Sequence, residues 1–352
     1  MTKERNSSFE LLRLLCIFGI IIMHTFAGID TSASSLNMAM HVLVNSLFNT
    51  GVTCFILISG YFGIRFDLRK LIRLDMMIIF FTVSGTILVG DFGIKALIKS
   101  CIPVISRQYW FITCYFALCV LAPYLNQIPE RLNREKFRNL IFVLLLIFSL
   151  IPTFTTYDIM QDAGKGLVDF VMIYLIGRYL AIYYDKKTWH NGRLLLGIAL
   201  STGIVFFSDG ALTAKSGVIY STFARDCSIF IIFNAVLIVL LFSGIHFTNR
   251  TINRIAGDVL AVYVLDSTIR TILNGCIDLN RYAEKWYLIF LVIGYAAVVV
   301  LAALLINEAR RLTIGRIEPW ISELLSKLWY RIQHMLLACM QSILSFFIGL
   351  SH

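Results

Sequence analysis

Apolar stretches of about 20 residues recur along this chain, each long enough to cross the roughly 30 Å hydrocarbon core of a bilayer as a helix. Ten are legible, at 9–29, 40–62, 71–90, 109–126, 138–157, 166–184, 193–209, 226–244, 256–277 and 286–306. A backbone in lipid must satisfy its own hydrogen bonds, so such segments take helical form. Composition agrees: 58% of the residues are hydrophobic and 15% charged, far from the balance of a soluble domain. The expectation is an all-α integral membrane protein, with about ten transmembrane helices in one bundle and no room for a soluble catalytic module. The stretch at 193–209 is the shortest and admits a tilted or partly re-entrant path.

A net charge of +10 raises nucleic acid as a partner, but its distribution argues against one. With ten spans and the amino terminus cytoplasmic, one side of the membrane holds Lys3, Arg5, Arg65, Arg69, Lys70, Arg73, Arg131, Arg134, Lys136, Arg138, Lys186, Lys187, Arg193, Arg250 and Arg254. The basic residues after Asn307 join them. The other side holds Lys95, Lys99, Arg107, Lys165, Lys215, Arg225, Arg281 and Lys285. About 20 basic residues face about 8, the bias that orients cytoplasmic loops. The basicity is topological, and secondarily it favours anionic metabolites on the cytoplasmic side. The expected domain is 1–306, followed by a cytoplasmic-side tail at 307–352. In the tail, Trp320, Leu324, Leu328 and Trp329 interleave with Arg316, Glu323, Lys327 and Arg331, the pattern of an amphipathic helix on a leaflet surface. The apolar run 335–350 is short for a further span and is expected in the interface or against the bundle.

The first span lacks a small-x-small cleavage site and carries Arg13 inside its apolar run, so it does not read as a cleaved signal peptide. The eight cysteines are scattered, without Cys-x-x-Cys, and read as small apolar packing residues. No zinc-type His/Cys spacing or Gly-rich phosphate loop is present, so no metal is expected.

Within the first span, Glu10, Arg13 and His24 interrupt an otherwise apolar sequence from Phe9 to His24. An ionisable group at membrane depth costs roughly 2.5–3.5 kcal/mol on insertion scales, which calls for a reason. Arg13 and His24 are separated by three helical turns plus about 20°, so they share a face, about 16 Å apart along the axis. A cation near one end and an imidazole deep in the bilayer suit a long anionic molecule with a reactive far end. A neutral imidazole is the natural general base near pH 7, although a membrane histidine also serves simply to bond a neighbouring helix. Glu10 lies on the same face and is placed to pair with Arg13, which otherwise has the role of a headgroup anchor.

Three further clusters carry chemistry. Phe55 to Arg65 contains Ser59, Gly60, Tyr61 and Gly63; the glycines permit close helix approach. Lys70 and Arg73 share a face at the start of the third span, suited equally to clamping phosphate and to setting topology. The aromatics Tyr109, Trp110, Phe111, Tyr115 and Phe116 read as an interfacial belt. In the ninth span stand Asp258, Tyr263, Asp266 and Arg270. Asp266 and Arg270, four apart, neutralise each other in apolar surroundings, and Asp266 has the further option of orienting an imidazole. Asp169 and Arg178 are intramembrane ionisables without an evident partner.

Together these segments resemble the family 3 membrane acyltransferases, bacterial inner-membrane proteins that O-acylate polysaccharides and other envelope molecules. The resemblance rests on Arg13-x10-His24 preceded by Phe9-Glu10-Leu11-Leu12, on Phe55-x-x-x-Ser59-Gly60-Tyr61, on the basic pair at 70 and 73, and on Trp110-Phe111 with Pro123-x-Leu125-Asn126. It covers about residues 5–306. Two positions depart from the family pattern: Lys70 stands where Arg is usual, losing a guanidinium fork, and Asp266 stands where a Tyr-x-x-His motif would place histidine after Tyr263. The resemblance implies a membrane O-acyltransferase that moves acetyl from cytoplasmic acetyl-CoA to a hydroxyl of a cell-surface glycan or its lipid-linked precursor, in the bacterial inner membrane. Arg13, Lys70 and Arg73 would hold the donor, and His24 would act as base or as acyl carrier, with Asp266 and Tyr263 beside it. Ser59 and Tyr263 are candidates to stabilise the oxyanion. Membrane lipids and the glycan acceptor are the expected partners, and nucleic acid is not. The competing class is a transporter or flippase for a lipid-linked glycan or amphiphile, since buried Arg, His and Asp also equip proton-coupled carriers. Carriers often show repeated halves and Pro-broken helices, and the five prolines here form no such pattern.

Overall fold

The computed structural model describes residues 6–155, 157–184 and 190–349. Lys3, Arg5, Lys186 and Lys187, counted above in the charge asymmetry, lie outside them. The described residues form helices and no strands. The first helix, α1, spans Ser8–Phe26; α2 (Ser35–Phe48) and α3 (Thr50–Phe62) follow, joined through Asn49. Next come α4 (Leu68–Leu88), the short α5 (Ile94–Cys101), α6 (Trp110–Leu125) and the single turn α7 (Ile128–Arg131). The helix α8 (Arg134–Leu145) passes through a π-turn, Leu146–Leu150, into α9 (Ile151–Thr155). Pro152 has no N–H to continue the α ladder, and the backbone answers by widening the preceding turn. The chain continues with α10 (Leu167–Tyr183), α11 (Asn191–Ser216), α12 (Ile229–Ser243), α13 (Arg250–Ala256), α14 (Val259–Asn274), α15 (Leu288–Leu312) and α16 (Glu318–Gly349).

Every expected apolar stretch contains a helix. Among the described residues, seven helical runs are long and apolar enough to cross a membrane: α1, α2 with α3, α4, α6 with α7, α8 to α9, α11 and α15. The other three, α10, α12 and α14, have 17, 15 and 16 residues. At 1.5 Å per residue they reach about 22–26 Å, short of a full core thickness. All three bury long runs of side chains inside the bundle.

The stretch expected to be shortest, 193–209, instead forms one of the longer helices, the 26-residue α11. Hydropathy ends that stretch at Asp209, but the Asp209 carboxylate is buried inside the protein. It accepts the backbone N–H groups of Phe223 and Ala224 at 2.9 Å each, so the helix runs on past it.

The closest helix pair is α3 against α10. A methyl group added at Gly60 would lie 2.2 Å from the Tyr174 carbonyl oxygen, and one added at Gly177 would lie 2.4 Å from the Leu57 carbonyl oxygen. Backbone thus meets backbone, and only glycine fits on either side. Gly63 ends α3 with φ +70°, a left-handed conformation that glycine adopts without strain. Gly177→Ala is expected to lower stability by about 1–3 kcal/mol, as overpacking of a filled interface does. A thermal melt of the purified protein checks this, and an unchanged midpoint would refute the close contact.

At the far end of the chain, α16 packs on α4. Ser322 and Ser326 are buried there, while Trp320, Leu324, Leu328 and Trp329 face outward. Arg310 is buried and ion-paired with Glu318, tying α15 to the start of α16. The backbone of 335–349 continues α16 as one helix, with Met335 and Leu336 exposed; the side chains from 341 onward lie outside the described set.

Candidate active site

The site is built where α1 and α14 cross. Ser7, just before α1, fixes its start: the hydroxyl donates to Asn253 Oδ1 at 2.8 Å and accepts the Asn249 N–H at 2.8 Å. Above this anchor, Arg13 Nη1 donates to both carboxylate oxygens of Glu10, each at 3.1 Å. The pair cancels charge on an otherwise apolar helix. No other hydrogen bond from the Arg13 guanidinium is present among the described residues, which leaves donors for an anion.

Three turns further on, His24 Nδ1 lies 2.8 Å from Asp266 Oδ2 on α14, across a sequence separation of 242 residues. Arg270 holds the same carboxylate in a fork, Nε to Oδ1 at 2.8 Å and Nη2 to Oδ2 at 3.2 Å. Its third nitrogen, Nη1, donates to the His24 carbonyl oxygen at 3.3 Å. One turn beyond, the Tyr295 hydroxyl of α15 lies 2.7 Å from Asn274 Oδ1 and 3.2 Å from the Arg270 carbonyl oxygen. Asp266 therefore performs at once the two tasks that its sequence position allowed. It neutralises Arg270 and it accepts a hydrogen bond from the imidazole.

The consequence for His24 is chemical. A carboxylate at Nδ1 draws the proton of the neutral ring to that nitrogen and puts the lone pair on Nε2. Nε2 has no hydrogen-bond partner among the described residues, and the His24 side chain keeps 36% of its surface exposed against 5% for Asp266. The arrangement is an oriented imidazole with one free ring nitrogen and its carboxylate partner buried behind it.

Two cavities of similar size approach this pair from opposite ends of α1. The first, about 260 Å³, is lined by Arg13, Ile17 and Ile20 of α1 with Ser59, Tyr115 and Tyr263 among its other walls. It reaches Ile20 and Tyr263, one turn short of His24 and Asp266. The second, about 250 Å³, begins at Thr25 and Arg270, just past the pair, and continues along Asn274 and Tyr295. His24 and Asp266 thus stand between the two chambers and line the wall of neither. A third, smaller hollow of about 160 Å³ holds Arg65, Asp67 and Lys70 and shares Leu74 and Tyr115 with the first.

The remaining sequence candidates are placed as follows. Lys70 is 81% exposed beside Asp67, at 3.8 Å. Arg73 turns the other way, with Nε donating to Ser322 Oγ of α16 at 3.0 Å, so the two cations of this pair do not converge on one cavity. Tyr263 lines the first cavity, its ring 5.6 Å from Phe111 and 5.9 Å from Tyr109. Ser59 also lines it, with its hydroxyl proton directed to the Phe55 carbonyl oxygen at 2.8 Å. Asp258 sits outside the site, binding Asn307 and Arg311 of α15. Asp169 and Arg178 each bury one polar atom, Oδ1 and Nε, without a hydrogen-bond partner among the described residues.

The aromatic group at the start of α6 corrects the interfacial-belt reading. Phe111 is buried, Tyr115 stacks on it at 6.0 Å, and the Tyr109 hydroxyl donates to the Val264 carbonyl oxygen at 3.1 Å. Phe111 and Tyr115 line the first cavity from inside the bundle. Their i, i+4 spacing was the signal that they share an inward face.

A polytopic bundle of membrane-length helices, with an oriented histidine between two cavities, defines the class: a multi-pass membrane protein with a candidate site inside the bundle. The family model described as an acyltransferase domain, that of the family 3 acyltransferases, matches residues 6–308, and the chain belongs to this family. It is an acyltransferase. No curated protein and no solved structure matches the chain.

Proposed function

We propose that this protein transfers an acetyl group from acetyl-CoA to a hydroxyl of a cell-surface polysaccharide, or of its lipid-linked precursor, in the bacterial inner membrane. The observation that carries the reading is the His24–Asp266 contact at 2.8 Å, set between a chamber that contains Arg13 and a second, polar chamber. The first chamber is mostly apolar, with the hydroxyl-bearing Ser59, Tyr115 and Tyr263 in its wall and one cation at its end, which suits the arm of an acyl thioester whose phosphates stay at the mouth. Arg65 and Lys70, in the adjoining hollow, add positive charge beside that mouth.

His24 Nε2 takes the proton of the acceptor hydroxyl as its oxygen attacks the thioester carbonyl carbon. The new C–O bond forms, the C–S bond breaks, and the thiolate leaves as CoA, which receives the proton from His24. Asp266 and Arg270 hold the ring through both transfers, with Asp266 facing the imidazolium while it lasts. Tyr263, on the wall of the first chamber, is the group nearest in type to an oxyanion donor, since the one hydroxyl proton of Ser59 is directed to the Phe55 carbonyl oxygen.

The test is CoA binding and acetate release from acetyl-CoA, measured on protein in nanodiscs. A phosphate held by a guanidinium is worth about 1.5–3 kcal/mol, so Arg13→Ala is expected to raise the Kd for CoA about 10–100-fold. Folded wild type that binds no CoA would sink the donor assignment.

A further inference from the structure

The motif Pro123-x-Leu125-Asn126 has no part in the chemistry above, yet its last residue makes a specific contact. Asn126 follows directly on α6, and its side chain reaches the loop 63–67 that joins α3 to α4. Its Nδ2 donates to the Ile64 carbonyl oxygen at 3.0 Å, and its Oδ1 accepts the Tyr174 hydroxyl at 2.7 Å. The same hydroxyl accepts the Ile64 N–H at 2.9 Å. The three bonds close a ring. Both backbone polar groups of Ile64, which lie beyond the end of α3, are thus held by side chains from α10 and from the end of α6.

The ring stands on fixed ground. Tyr174 is fully buried, and its own carbonyl oxygen packs against Gly60 in the backbone contact between α3 and α10. At the far end of the loop, Asp67 accepts the N–H groups of Arg69 and Lys70 at 3.0 and 3.3 Å and so starts α4. Between these two ties stands Arg65, which shares the 160 Å³ hollow with Lys70. That hollow adjoins the Arg13 cavity through Leu74 and Tyr115. Arg65 is exposed, and ordering so long a side chain on a ligand costs rotamer freedom. A backbone already fixed one residue earlier confines that cost to the side chain.

We propose that Asn126 is a positioning residue for the donor: together with Tyr174 it holds Ile64, so that Arg65 stands beside Lys70 at the mouth of the first cavity. The proposal rests on the donor assignment above and adds the residue that places one of its cations. Asn126 itself touches no substrate. It acts through the backbone of the loop, and its removal frees Arg65 from its place without removing any charge.

The experiment is a double-mutant cycle on the Kd for CoA, titrated in nanodiscs, with a melting temperature for each sample. Asn126→Leu and Arg65→Ala are each expected to raise the Kd about tenfold. The double variant is expected to lie within about twofold of either single one, because an unplaced Arg65 has little left to lose. Tyr174→Phe opens the same ring with almost no change of shape, is expected to raise the Kd likewise, and carries the cycle if Asn126→Leu fails to fold. Gln127→Ala, exposed on the next residue, leaves the Kd at the wild-type value. A purely structural role lowers the melting temperature and leaves the effects of the two substitutions to multiply, to about a hundredfold. That product overturns the proposal. So does an unchanged Kd in Arg65→Ala, or in both Asn126→Leu and Tyr174→Phe. A folded wild type that binds no CoA removes the donor assignment, and the proposal with it, before any variant is compared.

Discussion

Replacing His24 with alanine is expected to cut acetyl transfer about 10²–10⁴-fold, the usual worth of a positioned general base, with CoA affinity within about twofold of wild type. The separation of the two effects follows from the geometry. His24 lines neither cavity, so its loss leaves the wall around Arg13 intact. It stands between the chambers with Nδ1 committed to Asp266 at 2.8 Å, so only Nε2 is available to a substrate. His24→Gln fills more of the same volume and is expected to be equally inactive, because an amide has no basic nitrogen. Transfer rates and CoA titration on the same preparation check both variants. A loss of less than tenfold would remove His24 from the chemistry, whatever its contacts.

The second large effect is expected at Asp266, which works through His24. Asp266→Asn offers the imidazole an amide in place of a carboxylate. The ring then settles with its proton on Nε2, the nitrogen that must be bare to accept one. By analogy with the same change in serine proteases, turnover falls about 10²–10⁴-fold. The substitution also strands Arg270, whose side chain is 23% exposed and whose only carboxylate partner is Asp266 among the described residues. Breaking one side of a buried pair costs about 3–5 kcal/mol, so a lower melting temperature is expected alongside the lost activity. The double variant Asp266→Asn/Arg270→Met separates the two. It removes the stranded cation and is expected to regain most of the stability without regaining turnover. Recovery of both together would reduce Asp266 to a structural role.

Some of this architecture was legible in the residue order. Helical segments followed from apolar length, and the shared face of Arg13 and His24 followed from the 3.6-residue repeat, because both are properties of one segment and its neighbours in sequence. Gly60 signalled a close helix approach for the same reason: absence of a side chain is readable without knowing what fills the space. Other features were misread where the surroundings decide. Asp209 ended a hydropathy window but not a helix, since its carboxylate caps a loop inside the protein. The aromatics at the start of α6 were read as a belt, although two of the five, Phe111 and Tyr115, face a cavity. Arg73 and Lys70 share a helix face, but α16 packs beside that face and draws Arg73 to Ser322.

By itself, then, the sequence determined the helices, their apolar faces and the few charged side chains that needed partners. Only the tertiary structure decided which partners they found. Apolar helix surfaces are chemically alike, so nothing in α1 or α14 names the other, and the packing of the whole bundle sets which two meet. Once α14 lies across α1, residues 242 apart in sequence are within a hydrogen bond, and Asp266 can serve Arg270 and His24 together. The two cavities have the same origin. They are the spaces that remain between helices after the rest have packed, and no single segment encodes them.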